Sequence, residues 1–358
     1  MARLGGDAFV IILPRLAAEP SHGMRHALVA AEKLHAVLTE PFLVDNHPCS
    51  TGCSIGITLF SHPDQTTADL LREADTAMYR AKSTGRNCIV FYETAMQSEA
   101  EQRLGIENDL GLAIGTDQLR MAIQSQVDRT GAPTGCKLLM RWTHLVHGVI
   151  SPAVFIAVAE ESGLILRMGD WVIQQGCAAV TRLRRAGFDI PVSINVIPGR
   201  FRQPDFVERG ARIIAQSDAP ASSLIFEITE GLLIENVEDI IMRMHALIDL
   251  GVRFSIDDFG TGYSSLSYLQ RLPLYELKID RSFIRDIPGA AGPTALVQSI
   301  LSMSAHLGLR VVAEGVETRE QADFLLEAGR GSLQGYLFCR PTMVENWLDL
   351  QQAETTLP

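Results

Sequence analysis

Two adjacent carboxylates, Asp257 and Asp258, close an alternating stretch, Arg253-Phe254-Ser255-Ile256, and Gly260 and Gly262 follow at once. The alternation predicts a short strand. The glycines give the backbone access to positive φ directly after the acids. Ser264 or Ser265 can then cap a helix that carries Leu266, Leu269 and Leu272. Paired acids at a strand's end before a Gly-rich loop suit a divalent-metal site that handles phosphate. An ordinary solvated Asp-Asp turn would read the same way, so the rest of the chain has to decide.

Other predicted strands also stop on polar residues. Val192–Ile194 ends at Asn195, Leu224–Phe226 at Glu227 and Val311–Ala313 at Glu314, while Leu277–Ile279 brings in Lys278 and Asp280, and the last short strand ends at Gln334. One polar residue at a strand end says little. Six in succession, mostly carboxylates, repel one another and call for cations. Strands alternating with helices imply a parallel sheet with crossover connections. Seven or eight such units close a (β/α)₈ TIM-like barrel whose strand ends converge on one mouth.

The elements that lead up to this barrel form a separate α/β piece. Residues 1–92 read as a hairpin strand (Ala8–Leu13), a helix (about Met24–Leu38), a strand (Cys53–Phe60), a helix (about Thr67–Ser83) and a last strand (Asn87–Phe91). Residues 93–115 read as a linker helix and 116–358 as the barrel, opened by a strand at Leu119–Val127. A chain that starts on an interior hairpin reads as a fragment, with an upstream sensor or membrane anchor left open. The length of 358 residues fits this two-part division.

Composition narrows the function classes. A net charge of -11 argues against nucleic acid or an anionic membrane as partner. Six scattered cysteines without a CxxC read as reduced thiols, hence a cytoplasmic location. No apolar run reaches the ~20 residues that span a bilayer. His144 and His147 lie in a predicted loop and read as a solvent-facing pair rather than metal ligands.

The motifs carry a resemblance. Phe226–Glu230 (FEITE), Asp257–Leu266 (DDFGTGYSSL), Lys278–Asp280 (KID), Ala313–Glu317 (AEGVE) and Gln334–Phe338 (QGYLF) come in the order of the EAL domains. These are barrel phosphodiesterases that cut cyclic di-GMP, a bacterial second messenger, to the linear dinucleotide. Residues 1–92 resemble the C-terminal part of a GGDEF domain, the diguanylate cyclase module. Its hairpin is RLGGDAF here, with Ala8 where the family has a glutamate, so cyclase activity is not expected.

The resemblance implies roles for individual residues. Asn195, Glu227, Asp257 and Asp258 match metal ligands, with Asp280 near a second ion. Lys278 would polarise the phosphate or position water, Glu314 and Gln334 would orient that water, and Glu230 would pin the loop after Asp258. Gln124, Leu139, Arg141 and Pro341 fall where the family contacts guanine and phosphate. The signature Glu-Ala-Leu departs from the pattern: here it is Lys137-Leu138-Leu139, so a metal-binding glutamate is a lysine. Two unit charges ~4 Å apart interact by roughly 4 kcal/mol at an effective dielectric near 20, about a thousandfold in affinity. The magnesium or manganese of the family is therefore expected to be weakly held or absent. Val196-Ile197, where Leu-Ser is usual, and Gly331, where an acid is usual, depart as well.

The expected function is that of a cyclic di-GMP receptor or regulator with lost or severely impaired phosphodiesterase activity. Lys137 would then supply positive charge in place of the metal, or face the ligand's phosphate. An active metal-dependent phosphodiesterase making linear pGpG, and a nucleotide-independent scaffold, are the alternatives. A protein effector and a homodimer through the barrel are the expected partners.

Overall fold

The computed structural model describes residues 1–14, 20–40, 42–44, 47–49, 51–60, 65–93, 105–234, 236–260, 269–329 and 331–355. They fall into two compact units, Met1–Ile106 and Glu107–Pro358.

In the first unit the Gly6-Asp7 turn joins antiparallel strands Ala2–Gly5 and Ala8–Val10, while Ile55–Ile57 pairs in parallel with Ile89–Phe91. Helix Thr67–Ser83 starts at a reciprocal cap, with Thr66 Oγ1 accepting from the Asp69 N–H and Asp69 accepting from the Thr66 N–H. It buries Ala77 and Ala81, the small residues of its apolar stripe. A second hairpin, Phe42–Val44 with His47–Cys49, had no clear sequence signal.

The second unit is an eight-stranded closed barrel: β1 (Leu119–Val127), β2 (Pro133–His144), β3 (Val192–Asn195), β4 (Leu224–Thr229), β5 (Arg253–Phe259), β6 (Glu276–Ile279), β7 (Arg310–Glu314) and β8 (Ser332–Gln334). Strands β2 to β8 run parallel in spatial order, and β1 closes the ring between β8 and β2. The alternation predicted a wholly parallel sheet; β1 instead runs antiparallel to both neighbours. Its link to β2 is too short for a crossover, which takes a dozen or more residues. Asp128 Oδ1 accepts from the Thr130 and Ala132 N–H groups (2.7 and 3.1 Å) and Gly131 sits at φ 85°, so the chain folds straight back as a hairpin.

Each parallel strand sorts its residues by alternation. Phe226 on β4 and Phe254 on β5 point outward and meet edge to face, 5.9 Å between ring centroids, with Phe201 and Phe206 beyond them. That aromatic layer joins the sheet to helices Ile165–Arg185 and Phe206–Ala215. Buried Arg200 holds the helix ends, donating to Asp170 Oδ1 through Nε (3.0 Å) and Nη2 (2.8 Å) and to Asp205 (2.8 Å). The opposite face of the strands points into the barrel, where the polar residues gather. Among the described residues, no helix is long and apolar enough to cross a membrane.

Candidate active site

The mouth is built by residues at or near the C-terminal ends of the parallel strands. Glu227 of β4, Asp257 of β5 and Glu314 of β7 each bring one carboxylate oxygen to within 4.8 Å of the others. Lys137 of β2 enters the middle of this group. Its Nζ lies 2.9 Å from Glu227 Oε2, 2.9 Å from Asp257 Oδ2 and 3.1 Å from Glu314 Oε1. Two of its N–H donors go to Asp257 Oδ2 and Glu314 Oε1, and Glu227 completes the group as an ion-pair partner. Lys278, fully buried on β6, pairs with Glu227 Oε1 and donates to Glu314 Oε1 (3.0 Å). Three carboxylates and two ammonium groups thus form one closed network with a net charge of -1.

Electrostatics follow from that packing. Burial opposes the charge on Lys137, but Glu227, Glu314 and Asp257 outweigh it and hold its pKa well above the ordinary lysine value. Burial would raise Asp257; the Lys137 and Lys278 ammonium groups reverse this and hold it at about 2. Asp258 follows at φ 53°. Burial and the neighbouring Asp257 charge push it up to about 6.

The other predicted residues fall into place around the network. The Asn195 side-chain amide lies beside Glu227 Oε2 (3.0 Å) and Asp257 Oδ2 (3.2 Å), and with its nitrogen toward them it would donate to both. Asp280 caps the short helix Arg281–Ile284 by accepting from the Ser282 N–H (2.9 Å). It lies outside the three-acid cluster, as does Asp258. Glu230 Oε1 accepts from the Gly260 N–H (2.8 Å), at the start of the loop it was expected to pin. Residues 261–268, and with them Gly262 and the Ser264 or Ser265 cap, lie outside the described residues. Leu269 and Leu272 are buried.

At the rim, Gln124 donates to the Cys339 carbonyl (3.0 Å) and Gln334 donates to Gln124 Oε1 (3.1 Å). Arg141 and Leu139 are half-buried on β2, with Arg141 donating to the Met140 carbonyl (2.8 Å), and Pro341 is half-buried beyond β8. Gly335 is required here by close approach: a Cβ would lie 2.0 Å from the Val316 carbonyl oxygen.

Two residues were misjudged or missed. His144 is buried, not solvent-facing: its Nδ1 accepts from the Val146 and His147 N–H groups (3.0 Å each) and its Nε2 meets Asp109 (3.0 Å). Asp109 is 35 positions away, which no local pattern reveals. Glu276 is buried below Lys278, and burial pushes it up to about 7. The i,i+2 spacing with Lys278 in a strand was the available signal.

The comparisons place this geometry. Residues 107–341 match the family described as EAL domain, and residues 1–88 match the diguanylate cyclase, GGDEF domain. MucR of Pseudomonas aeruginosa, a bifunctional diguanylate cyclase/cyclic di-GMP phosphodiesterase, is 38% identical over 350 residues, 97% of this chain and 50% of that protein. NbdA of the same species, a cyclic di-GMP phosphodiesterase, is 35% identical over 95% of this chain and 43% of its own length. The chain thus spans about half the length of the curated relatives it matches. The solved PaMucR phosphodiesterase in complex with c-di-GMP superposes with a TM-score of 0.64 at 37% identity, covering 68% of this chain and 99% of that one.

The family is metal-dependent, so the acid cluster has to be weighed as a metal centre. Its three carboxylates are the oxygen donors that a hard divalent cation takes. Lys137 Nζ already occupies the centre at hydrogen-bond distance from all three. That arrangement suits an ammonium and does not suit a divalent ion. In fold and in motif order, this chain is a member of the EAL domain family, with a GGDEF segment ahead of the barrel.

Proposed function

We propose that this chain recognises cyclic di-GMP at the barrel mouth and has lost, or nearly lost, the ability to hydrolyse it. One observation carries the reading: the Lys137 ammonium sits among Glu227, Asp257 and Glu314. An activated water at neutral pH needs a strong Lewis acid to lower its pKa. An ammonium cannot accept a ligand oxygen, so no hydroxide is generated there. It does neutralise the buried carboxylates, which would otherwise repel a phosphate.

Recognition is supported by what remains. The rim keeps Gln124, Leu139, Arg141 and Pro341, and Arg141 supplies a guanidinium matched to phosphate geometry. Lys137 acts by compensating charge inside the barrel rather than by touching the ligand, because its buried ammonium is already paired with three carboxylates. With Ala8 in its hairpin, the segment 1–92 makes no cyclic dinucleotide; 93–115 links it to the receptor barrel at 116–358. The output passes to a protein effector, and pairing of two barrels is part of the same proposal.

Calorimetric titration of the whole chain with cyclic di-GMP, with and without chelator, tests this. Saturable binding that survives chelation is expected. Binding that vanishes with chelator, or no binding at all, would overturn it.

A further inference from the structure

Three glutamines inside the barrel are joined head to tail. Gln126 Nε2 donates to Gln334 Oε1 (3.1 Å), Gln334 Nε2 donates to Gln124 Oε1 (3.1 Å), and Gln124 Nε2 donates to the Cys339 carbonyl (3.0 Å). All three side chains are buried, at 2%, 4% and 6% exposure for Gln126, Gln334 and Gln124. The direction of this relay is not arbitrary. A backbone carbonyl accepts only, so Gln124 must face Cys339 with its nitrogen. That leaves Gln124 Oε1 toward Gln334, which must answer with nitrogen, and so on down to Gln126. Reversing any one amide opposes two oxygens or two nitrogens at each junction.

Gln126 is two residues from Gln124 on β1, and so on the same face. Its cross-strand partner on β2 is Gly135, and a Cβ there would lie 2.5 Å from Gln126 Oε1. The missing side chain at 135 is what leaves room for the Gln126 carboxamide. Gln124 and Gln334 each keep one N–H and one lone pair outside the relay, and Gln126 keeps one N–H and both lone pairs. Where those of Gln124 face is therefore set from below as well as by the mouth.

We infer that Gln126 is a positioning residue for ligand recognition, fixing through Gln334 the amide orientation that Gln124 presents at the mouth. The inference rests on the proposed recognition of cyclic di-GMP and adds a determinant that does not itself touch the ligand. Removing the donor leaves Gln334 Oε1 without its partner, and a buried acceptor without a partner is costly enough to drive rotation. Gln334 and Gln124 then lose their single arrangement.

The test uses the whole chain with four sequences: wild type, Gln126→Met, Gln126→Glu and Gly135→Ala. Methionine keeps the length of the side chain without the donor. Glutamate keeps the shape but presents an acceptor to Gln334 Oε1, which demands reversal of the whole relay. Calorimetry with cyclic di-GMP should show affinity about tenfold weaker for Gln126→Met, weaker still for Gln126→Glu, and reduced for Gly135→Ala. Side-chain carboxamide signals in nitrogen-15 NMR provide a readout that needs no ligand. Slowly exchanging carboxamide protons of Gln124 and Gln334 should be present in wild type and lost in both Gln126 variants.

If wild type does not bind cyclic di-GMP, the proposed recognition fails, and the relay is then judged on the NMR signals alone. If wild type binds and the Gln126 variants bind equally well, with both carboxamides still protected, the positioning role is wrong.

Discussion

Replacing Lys137 with methionine keeps most of the stem and removes the charge together with its N–H donors. Glu227, Asp257 and Glu314 would then face one another in a buried space with Lys278 as their remaining cation. Removing one partner of a buried ion pair costs about 3–5 kcal/mol. Because this ammonium serves three carboxylates, the upper end of that range is expected near neutral pH. For a domain of this size, 1 kcal/mol moves Tm by about 2–4 °C, so a fall of roughly 10–20 °C follows. The pH dependence carries the sharper signature. In wild type Asp257 is held at about 2, so its stabilising contribution is present above the ordinary carboxyl pKa and fades only as pH falls through about 2. In Lys137→Met the crowded carboxyls have raised pKa values. A raised carboxyl favours folding at low pH and loses that contribution as pH rises through its folded pKa. The variant should therefore recover stability on going from about pH 8 to about pH 5. Urea unfolding followed by tryptophan fluorescence measures this in the barrel alone, since Trp142, Trp171 and Trp347 are all buried there. Stability within about 1 kcal/mol of wild type, with an unchanged pH slope, would refute the role given to Lys137.

Glu276, pushed up to about 7 by burial, should make the wild-type barrel less stable as pH rises through about 7, by at most about 3 kcal/mol. Glu276→Gln should abolish that slope in the same urea assay. Asp258, raised to about 6, loses its negative charge below that pH, so cyclic di-GMP titrations should show tighter binding on acidification through about 6 and no such trend in Asp258→Asn. Asp170→Ala should cost about 3 kcal/mol in urea unfolding by depriving buried Arg200 of its two-point partner, with ligand affinity unchanged because the pair lies outside the barrel wall.

Much of this architecture was readable because strand periodicity and strand-end chemistry coincide. Leu119–Val127 and Thr67–Ser83 have their predicted bounds, since turn and capping residues frame them. The polar strand ends converge because a closed parallel barrel aims its C-terminal ends at one mouth. The direction of β1 was not readable from alternation, which is the same for either orientation; only the five-residue link to β2 decides it. Lys137 was legible as a charge reversal, yet its three-way pairing depends on side chains up to 177 positions away. Lys278 sharing Glu314 with it, the burial of His144 against Asp109, and the glutamine relay all depend on contacts between elements far apart in sequence. Periodicity names the face a residue occupies, not the partner it meets.

The central claim is that an ammonium holds the position in which catalysis requires a divalent ion. Incubating the purified chain and its Lys137→Glu variant with cyclic di-GMP and manganese, and measuring the linear dinucleotide formed, tests it most directly. Wild type should yield essentially no product while Lys137→Glu gains measurable turnover. Sustained turnover by wild type, at a rate the glutamate variant does not exceed, would contradict it.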